Sequence, residues 1–323
     1  MAIATTPSKT PTAPGGIKKA SRRVRRLSTR DKIVLSLMVG IPTLVHICLV
    51  WLPTLVSVVL SFTKWDGIGG FDSIQWIGLG NYKEMFTVSP TFWPAVEHNF
   101  IWLAFFVVLP TPFGVFLAYL LDKNIRGSRF YQSVIFLPVV ISAAVTGFIW
   151  ETIYNPDNGL VNSVIGANKP NNFYIDWLGN SHLNLWAVLI AASWKQAAYI
   201  MILYLAGLKS ADASLTEAAS LDGANAWQTF FRVTFPALKP INIIVLVVTI
   251  IESLRAFDLV WVIGGSNTTK PGLELLSILI TNNIIGESSL IGYGSALAVV
   301  LLVISLVPIL VYVYQNFRKE QRA

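Results

Sequence analysis

The segment Ser214-Leu-Thr-Glu-Ala-Ala-Ser-Leu-Asp-Gly-Ala-Asn-Ala-Trp-Gln-Thr-Phe-Phe-Arg-Val-Thr-Phe-Pro236 is the longest stretch of mixed polarity between two strongly apolar stretches. Ser214 and Glu217 have the S-x-x-E spacing of a capping box, which predicts that Ser214 caps a helix and that Glu217 reaches back to the cap. Gly223, directly after Asp222, predicts the end of this helix, because glycine tolerates the left-handed backbone conformation.

A second short helix is predicted after this turn. Asn225 and Gln228 have the spacing of another capping pair, and Pro236 predicts the end of the second helix. The sequence therefore predicts two short polar helices, at about residues 211–236, held between two apolar stretches.

The composition indicates a membrane protein. Hydrophobic residues make up 54% of the sequence and charged residues 13%, against about 25% charged in an ordinary soluble domain. At 323 residues, the chain has room for one bundle of about six spans of about 20 apolar residues each. The single cysteine, Cys48, is expected to be a buried small hydrophobe, and it excludes an intrachain disulfide and a cysteine metal site.

Six apolar segments predict six transmembrane helices in an all-α, integral membrane bundle that occupies residues 33–323. The first segment exceeds the thickness of a bilayer and contains Pro42 and Pro53, so it is expected to tilt, bend or begin before the hydrocarbon. The predicted spans are residues 33–62, 101–121, 131–153, 185–208, 241–263 and 290–314.

The basic residues are concentrated near the start of the chain. Residues 9–32 hold nine of the 24 lysines and arginines, in a stretch rich in proline, threonine and serine. Residues 1–32 are therefore expected to form a disordered cytoplasmic leader that fixes topology and touches anionic lipid, in preference to a nucleic-acid arm. The apolar run that follows is too long for the core of a cleavable signal peptide.

The other charges predict the orientation in the membrane. With the N-terminus in the cytoplasm, 18 lysines and arginines fall on the inner side of the predicted spans and four on the outer side. This excess of inner positive charge predicts that both termini and residues 211–236 are cytoplasmic.

The sequence contains no catalytic pattern. It lacks the G-x-x-x-x-G-K-[ST] phosphate loop, so the chain is not expected to hydrolyse ATP or to be an enzyme. His46, His98 and His182 are scattered and form no H-E-x-x-H motif, so no metal site is predicted. Uphill transport would need energy from a partner or from an ion gradient.

Two predicted spans carry charged residues at membrane depth. Lys195 lies near the middle of the fourth span, and Glu252 lies near the middle of the fifth, followed by Arg255 and Asp258. Charges at this depth are expensive and usually face a bundle interior or a wet cavity. They indicate either a polar translocation path with Lys195 and Glu252 around one cavity, or a structural ion pair between Glu252 and Arg255.

The segment 214–236 resembles the EAA signature of ABC importer membrane subunits. That signature reads E-A-A, three residues, G, nine residues, and then I-x-L-P. The spacing is long and fixed, which makes the match specific. The matching residues here are Glu217-Ala218-Ala219, Gly223 and Val233-x-Phe235-Pro236, with apolar replacements in the last part.

Other motifs narrow the resemblance to permeases for carbohydrate uptake. From about residue 33 onward the chain is similar to the maltose-permease-like first membrane subunit of sugar importers, without its large extra outer domain. This resemblance implies a permease for a sugar or oligosaccharide. The motifs that carry it are Gly78-Leu79-Gly80-Asn81-Tyr82, Leu137-Pro138, and Phe257-Asp258 followed by Gly264-Gly265.

The resemblance implies partners and a location. Such a subunit lies in a prokaryotic cell membrane with a second permease subunit, two cytoplasmic ATPase subunits that bind ATP and magnesium, and an extracytoplasmic solute-binding protein. Residues 211–236 would be coupling helices seated in a cleft of one ATPase, and the chain itself would hold no cofactor. The residues implied in this contact are Glu217, Ala218, Ala219, Asp222, Gly223 and Pro236.

The resemblance also implies a substrate path through the third, fourth and fifth spans. Gln196, Glu252 and Ser253 have side chains that can bond sugar hydroxyls, and packing between helices is the alternative role for each. Tyr199 can also stack on a pyranose ring. The positions implied by the family's sugar site are Val139, Ala143, Lys195, Gln196, Tyr199, Thr249, Glu252, Ser253 and Ala256.

Two other functions are compatible with parts of the pattern. An ABC importer permease for another solute, such as a glycerol phosphodiester, polyamine or phosphonate, would share the EAA segment; an anionic solute would favour a more basic cavity. An ion-coupled secondary transporter acting alone would need inverted repeats and broken ion-binding helices. The sequence shows no such repeat.

Overall fold

The computed structural model describes residues 28–123, 125–167, 174–265, 270–286 and 289–320, without the side chains of 311–313 and 315–320. The chain divides into two compact units, Met1–Pro53 and Thr54–Ala323. Most of the predicted leader, residues 1–27, lies outside the described residues.

The first unit is helical from Thr29 onward. It contains α1 (Thr29–His46) and a π-helical turn (Ile47–Trp51), and none of the side chains in these two elements is buried. The helix begins before residue 33, so the last residues of the predicted leader are helical. The expectation that Cys48 is buried was wrong, because this side chain is exposed in the π-helical turn.

A small hairpin and a short helix follow α2 (Leu52–Leu60). Strands β1 (Thr63–Lys64) and β2 (Gln75–Trp76) pair antiparallel, a 3-10 turn (Phe71–Ser73) lies between them, and α3 (Gly80–Thr87) comes next. The buried Asn81 amide donates to the carbonyl oxygens of Ser61 and Thr63, each at 2.8 Å. This amide fixes the start of the hairpin against α3.

The centre of the second unit is built around one long helix, α9. Of the most apolar 18-residue stretch of α9, 56% is buried. The corresponding stretch of Phe92–Asp122 is 22% buried. The helix α9 is therefore the core of this unit, and the outer faces of the other helices are left for lipid or partners. The elements up to α9 are α4 (Phe92–Val108), α5 (Pro110–Asp122), α6 (Ser128–Val140), α7 (Ala143–Ile153), α8 (Leu160–Ile165) and α9 (Asn184–Ser210).

The remaining elements carry the polar segment and the C-terminal helices. They are α10 (Ala213–Leu221), α11 (Ala226–Thr229), a π-helical turn (Phe230–Thr234), α12 (Phe235–Ala237), α13 (Lys239–Leu254), α14 (Asp258–Gly264), α15 (Leu276–Ile285) and α16 (Ile291–Glu320). The apolar ten-residue α15 was not predicted from the sequence.

Two of the six predicted spans are broken. The predicted span 131–153 bends by 101° between α6 and α7, and the predicted span 241–263 is interrupted between α13 and α14. In the described residues, four helices are long and apolar enough to cross a membrane, and the bent pair brings the number to five. The helix α13 has 16 residues, fewer than the about 20 that a span needs, so the fifth predicted span, and with it the total of six, remains a prediction.

The break in the fifth predicted span is stabilised by side chains from neighbouring helices. The Asn99 amide donates to the carbonyl oxygens of Ser253 and Leu254 at 3.3 and 3.5 Å, and its Oδ1 accepts from the Leu276 N–H at 3.0 Å. The hydroxyl of Ser277 donates to the carbonyl oxygen of Ala256. Non-helical backbone at membrane depth needs such internal partners, because lipid offers no hydrogen bonds.

The helices α5 and α9 approach each other closely at a glycine. A Cβ on Gly114 would lie 2.7 Å from the carbonyl oxygen of Ala197 and 2.8 Å from the Cβ of Ile200. Small residues allow this kind of backbone approach between membrane helices, where dispersion contacts stabilise the pair.

The start of the polar segment differs from the prediction. Asp212 caps α10, and its Oδ1 accepts from the Ser214 N–H at 2.9 Å. The predicted capping box of Ser214 and Glu217 was therefore wrong, because the helix begins at Ala213 and places Ser214 inside its first turn.

The turn and the second cap agree with the prediction. Gly223 has φ of 76°, in the left-handed region. Asn225 and Gln228 form the expected capping box, each bonded to the other's backbone N–H at 2.9 Å. Pro236 does not end the helical run, which continues to Ala237 because the π-helical turn lies directly before the short α12.

Gly114→Ala is expected to destabilise the protein by about 1–3 kcal/mol, because the new methyl group overlaps the backbone of α9. The measurement is the apparent melting temperature of purified protein in detergent. Gly40→Ala is the matched control, since a Cβ on Gly40 meets nothing within 4 Å. Equal melting temperatures for the two variants would contradict the close approach of α5 and α9.

Acid is expected to loosen the start of α10. The backbone and side-chain hydrogen bonds from Ser214 lower the pKa of the Asp212 carboxyl. A lowered pKa means that the cap stabilises α10 above about pH 4 and that this contribution is lost as the pH falls through the folded-state pKa. Hydrogen-exchange protection of the α10 amides measures it.

Two variants separate the cap from other effects of acid. Asp212→Asn keeps an acceptor and should remove the acid sensitivity. Asp212→Ala should lower protection about fivefold above about pH 4, and this difference from the unmodified chain should shrink as the pH falls. If α10 in Asp212→Asn lost protection at low pH as the unmodified chain does, the proposed cause of the acid sensitivity would be excluded.

Candidate functional site

A cavity of about 470 Å³ lies where the two broken spans meet α4 and α9. Its walls come from every helix that carries a predicted substrate position. The lining residues with side chains of interest are Trp102 and Phe106 of α4, Val139 and Ala143 around the bend, Lys195, Gln196 and Tyr199 of α9, and Glu252, Arg255 and Asp258 at the break between α13 and α14.

Local helix geometry explains why charged side chains converge here. Lys195 and Tyr199 are four residues apart on α9, and Glu252 and Arg255 are three apart at the end of α13, so each pair shares a helix face. Asp258 is the first residue of α14. The break at residues 255–257 therefore turns both of its flanking charges toward one cavity.

The four charged side chains form no ion pair with one another. They are exposed in the chain, and the ion pair present among the described residues joins His98 to Glu274 at 3.4 Å, outside the cavity. The alternative of a structural pair between Glu252 and Arg255 is therefore not observed. Lys195 and Glu252 line the same cavity, as the sequence predicted.

The charges in the cavity balance. Lys195 and Arg255 contribute two positive charges, and Glu252 and Asp258 contribute two negative charges, so the wall carries no net formal charge at neutral pH. Charged groups at membrane depth need water, partners or a bound solute. The arrangement offers strong donors and acceptors without favouring a solute of either sign.

Two predicted path residues do not line the cavity. Thr249 and Ser253 are buried in the packing of α13, and the Ser253 hydroxyl donates to the carbonyl oxygen of Thr249 at 2.7 Å. Neither residue is part of the cavity wall, to which α13 contributes Val248 and Glu252. Thr249 acts instead as an acceptor for the Gln196 amide at 3.5 Å.

The other predicted path residues are on the cavity wall. Val139 and Ala143 lie on either side of the bend, where the Ser142 hydroxyl accepts from the Val145 N–H at 3.3 Å and caps α7. Gln196 lines the cavity although most of its side chain is buried, and Ala256 lines it from the break in the fifth predicted span.

Sequence reasoning missed the contribution of α4. Trp102 and Phe106 line the cavity and pack against each other with ring centroids 5.8 Å apart. Their spacing of four residues on an apolar helix was a usable signal, but it is also the ordinary pattern of a packed core. Trp102 Nε1 is buried without a hydrogen-bond partner in the described part of the chain.

The polar segment of residues 211–236 presents an exposed surface. Glu217, Ala218 and Asp222 are exposed, whereas Ala219 is buried. Gly223 has open space around its backbone, and Pro236 is exposed. The glutamate side chain therefore faces outward and is available to a partner.

Large apolar side chains are also exposed on the segment 211–236. Leu221 is 88% exposed and Trp227 is 62% exposed. The indole of Trp227 stacks on Phe231 with ring centroids 5.5 Å apart and planes 4° from parallel. An exposed apolar surface of this kind marks an interaction site.

Among the described residues, no group of three or more histidine, cysteine, aspartate or glutamate side chains is placed to hold a metal ion. The two regions offer hydrogen bonding and charge in the cavity, and apolar contact on the exposed surface of residues 211–236.

Comparison with known proteins gives the family. Residues 110–321 match the family described as binding-protein-dependent transport system inner membrane component. The chain is 30% identical over 288 residues to a probable ABC transporter permease of Pyrococcus horikoshii, covering 88% of this chain and 94% of that protein. It is 32% identical over 285 residues to the xylose/arabinose import permease XacH of Haloferax volcanii, covering 87% of each.

A solved structure shares the fold. A bacterial ABC transporter involved in the import of the acidic polysaccharide alginate contains a chain that matches with a TM-score of 0.74 at 21% identity. The match covers 90% of this chain and 96% of that one.

The EAA segment, the membrane helices and these matches lead to one conclusion. The chain belongs to the family of inner membrane components of binding-protein-dependent transport systems, the permease subunits of ABC importers.

Proposed function

We propose that this chain is a permease subunit of an ABC importer for a sugar or oligosaccharide and that it forms half of the translocation path. The observation that carries the proposal is the cavity of balanced charge between α4, α9 and the broken fifth predicted span. Carboxylates, cations and aromatic rings together bond hydroxyls and stack on pyranose faces without requiring a charged solute. The name of the Haloferax relative, a xylose/arabinose permease, supports the same substrate class.

The solute would contact Val139, Ala143, Lys195, Gln196, Tyr199 and Glu252, which share the cavity wall. Thr249 and Ser253 would support the wall from behind, because their side chains are buried. An anionic solute is less well matched, since the two basic side chains are offset by two acidic ones.

Energy would come from partner subunits. The chain would pair with a second permease subunit, two cytoplasmic ATPase subunits and an extracytoplasmic solute-binding protein, and it would have no enzymatic activity of its own. The surface of Glu217, Ala218, Ala219, Asp222, Gly223 and Pro236 would sit in a cleft of one ATPase, where the small alanines allow close approach.

The proposed orientation follows the charge distribution. Both termini and residues 211–236 would be cytoplasmic in a prokaryotic cell membrane, with residues 1–32 as a basic leader and residues 33–323 as the transmembrane domain. The excess of lysine and arginine on this side of the predicted spans supports the assignment.

Removing the charges of the cavity is expected to impair transport. Lys195→Ala and Glu252→Ala should each lower sugar uptake at least roughly tenfold, because a hydrogen bond to a charged group contributes about 1.5–3 kcal/mol. The measurement is uptake of radiolabelled sugar into proteoliposomes that contain the complete transporter, with the double variant included.

Lys83→Ala and Glu84→Ala form the matched control, because these neighbouring exposed charges lie on α3, outside the cavity. Uptake should be unchanged in the controls. If the cavity variants also transported sugar at the unmodified rate, the cavity would not be the path.

A further inference from the structure

A partly buried joint links the helices of the segment 211–236 to α9 and α13. The Tyr204 hydroxyl on α9 donates to Asn242 Oδ1 on α13 at 2.8 Å. The Asn242 amide donates in turn to the carbonyl oxygen of Phe235 on α12 at 3.0 Å. The Tyr204 ring stacks on Phe235 with planes 7° from parallel and centroids 6.2 Å apart. One tyrosine and one asparagine thus hold three helices together.

The joint spans a discontinuity in the backbone. The helical run of the cytoplasmic segment ends at Ala237, and α13 begins at Lys239 after a bend at Leu238. A bend of this kind would allow the cytoplasmic helices to move without moving α13. Asn242 lies in the first turns of α13 and bonds back across the bend to Phe235, so it stiffens this connection.

Burial makes the joint stronger than a surface contact. Tyr204 is 3% exposed, and Leu238 belongs to the same buried apolar cluster. A Cβ on Gly207 would lie 2.7 Å from Ile241 Cγ1, which shows how closely α9 approaches the start of α13. Both hydrogen bonds are partly buried, so water competes for them less than at an open surface, and removing the Tyr204 hydroxyl leaves the Asn242 amide oxygen without this partner.

Aromatic contacts continue the joint to the exposed surface. Phe235 contacts Phe230 at 6.1 Å between centroids and Phe231 at 6.5 Å. Phe231 stacks on the exposed Trp227, and Phe230 contacts Tyr119 of α5 at 4.7 Å. A continuous set of rings therefore connects the exposed Trp227 with the joint.

We propose that Tyr204 and Asn242 are positioning residues that make the cytoplasmic segment and α13 move as one body. Displacement of the segment by an ATPase is then delivered along α13 to Glu252, ten residues and about 15 Å from Asn242. This inference rests on the proposed function, because it assigns the joint to the coupling of ATP hydrolysis and transport.

The test uses the complete transporter in proteoliposomes and measures sugar imported per ATP hydrolysed. Tyr204→Phe removes the hydroxyl and keeps the ring. We expect it to lower this ratio about fivefold while hydrolysis is still stimulated by the sugar-loaded binding protein. Asn242→Leu should behave in the same way, and the double variant should be no worse than the more severe single variant, because both remove one shared interaction.

Tyr154→Phe is the matched control. The Tyr154 hydroxyl is also buried and donates to the carbonyl oxygen of Ala187 at 3.1 Å, but it lies away from the joint and outside the cavity wall. This variant removes the same chemical group and should leave the ratio of sugar to ATP unchanged.

Three results would overturn the inference. An unchanged ratio in Tyr204→Phe and Asn242→Leu would show that the joint carries no coupling. Equal losses of hydrolysis and uptake would indicate a role in assembly alone, and an equal effect of Tyr154→Phe would indicate general destabilisation. Failure of the proposed function is recognised separately, since the unmodified complex would then show no sugar uptake driven by ATP.

Discussion

The structure depends on one constraint: polar groups inside an apolar layer must find partners within the protein or face water. The break between α13 and α14 frees backbone carbonyls, and Asn99 and Ser277 bind them. The same break leaves Arg255 and Asp258 at its ends, facing a cavity that also contains Lys195 and Glu252. The interruption of the helix and the polar cavity are therefore two consequences of one local departure from regular backbone.

Two helices, α9 and α13, each contact both the cavity and the joint of Tyr204 and Asn242. The helix α13 carries cavity residues near its end and is joined to the polar segment of residues 211–236 at its beginning, through Asn242. The helix α9 contacts both regions, since Lys195 lines the cavity and Tyr204 belongs to the joint. Under the proposed function, α9 and α13 transmit the movement driven by ATP hydrolysis to the solute site. The close packing of α5 on α9 at Gly114 restricts the movement of α9.

Composition allowed the membrane class to be predicted, and Lys195 and Glu252 stood out in the sequence because charge is rare in apolar helices. The EAA segment and the uncharged positions of the cavity wall were expected only from the resemblance to sugar permeases. The sequence did not reveal that Thr249 and Ser253 are buried in helix packing and not on the cavity wall, since small hydroxyl side chains fit both surroundings. The cap of α10 was misplaced because Asp212 and Ser214 are both good capping residues and only the backbone decides between them. Trp102 was missed because an aromatic residue on an apolar helix looks like core.

The central claim, that a separate ATPase binds the surface around Glu217, is tested most directly by copurification. The tagged chain is expressed with its ATPase, and the amount of ATPase retained in detergent is measured for the unmodified chain, for Glu217→Lys and for Glu84→Lys as an exposed control on α3. The account predicts that the unmodified chain and Glu84→Lys retain the ATPase and that Glu217→Lys loses it. Sugar uptake by the chain reconstituted alone, or full retention of the ATPase by Glu217→Lys, would contradict it.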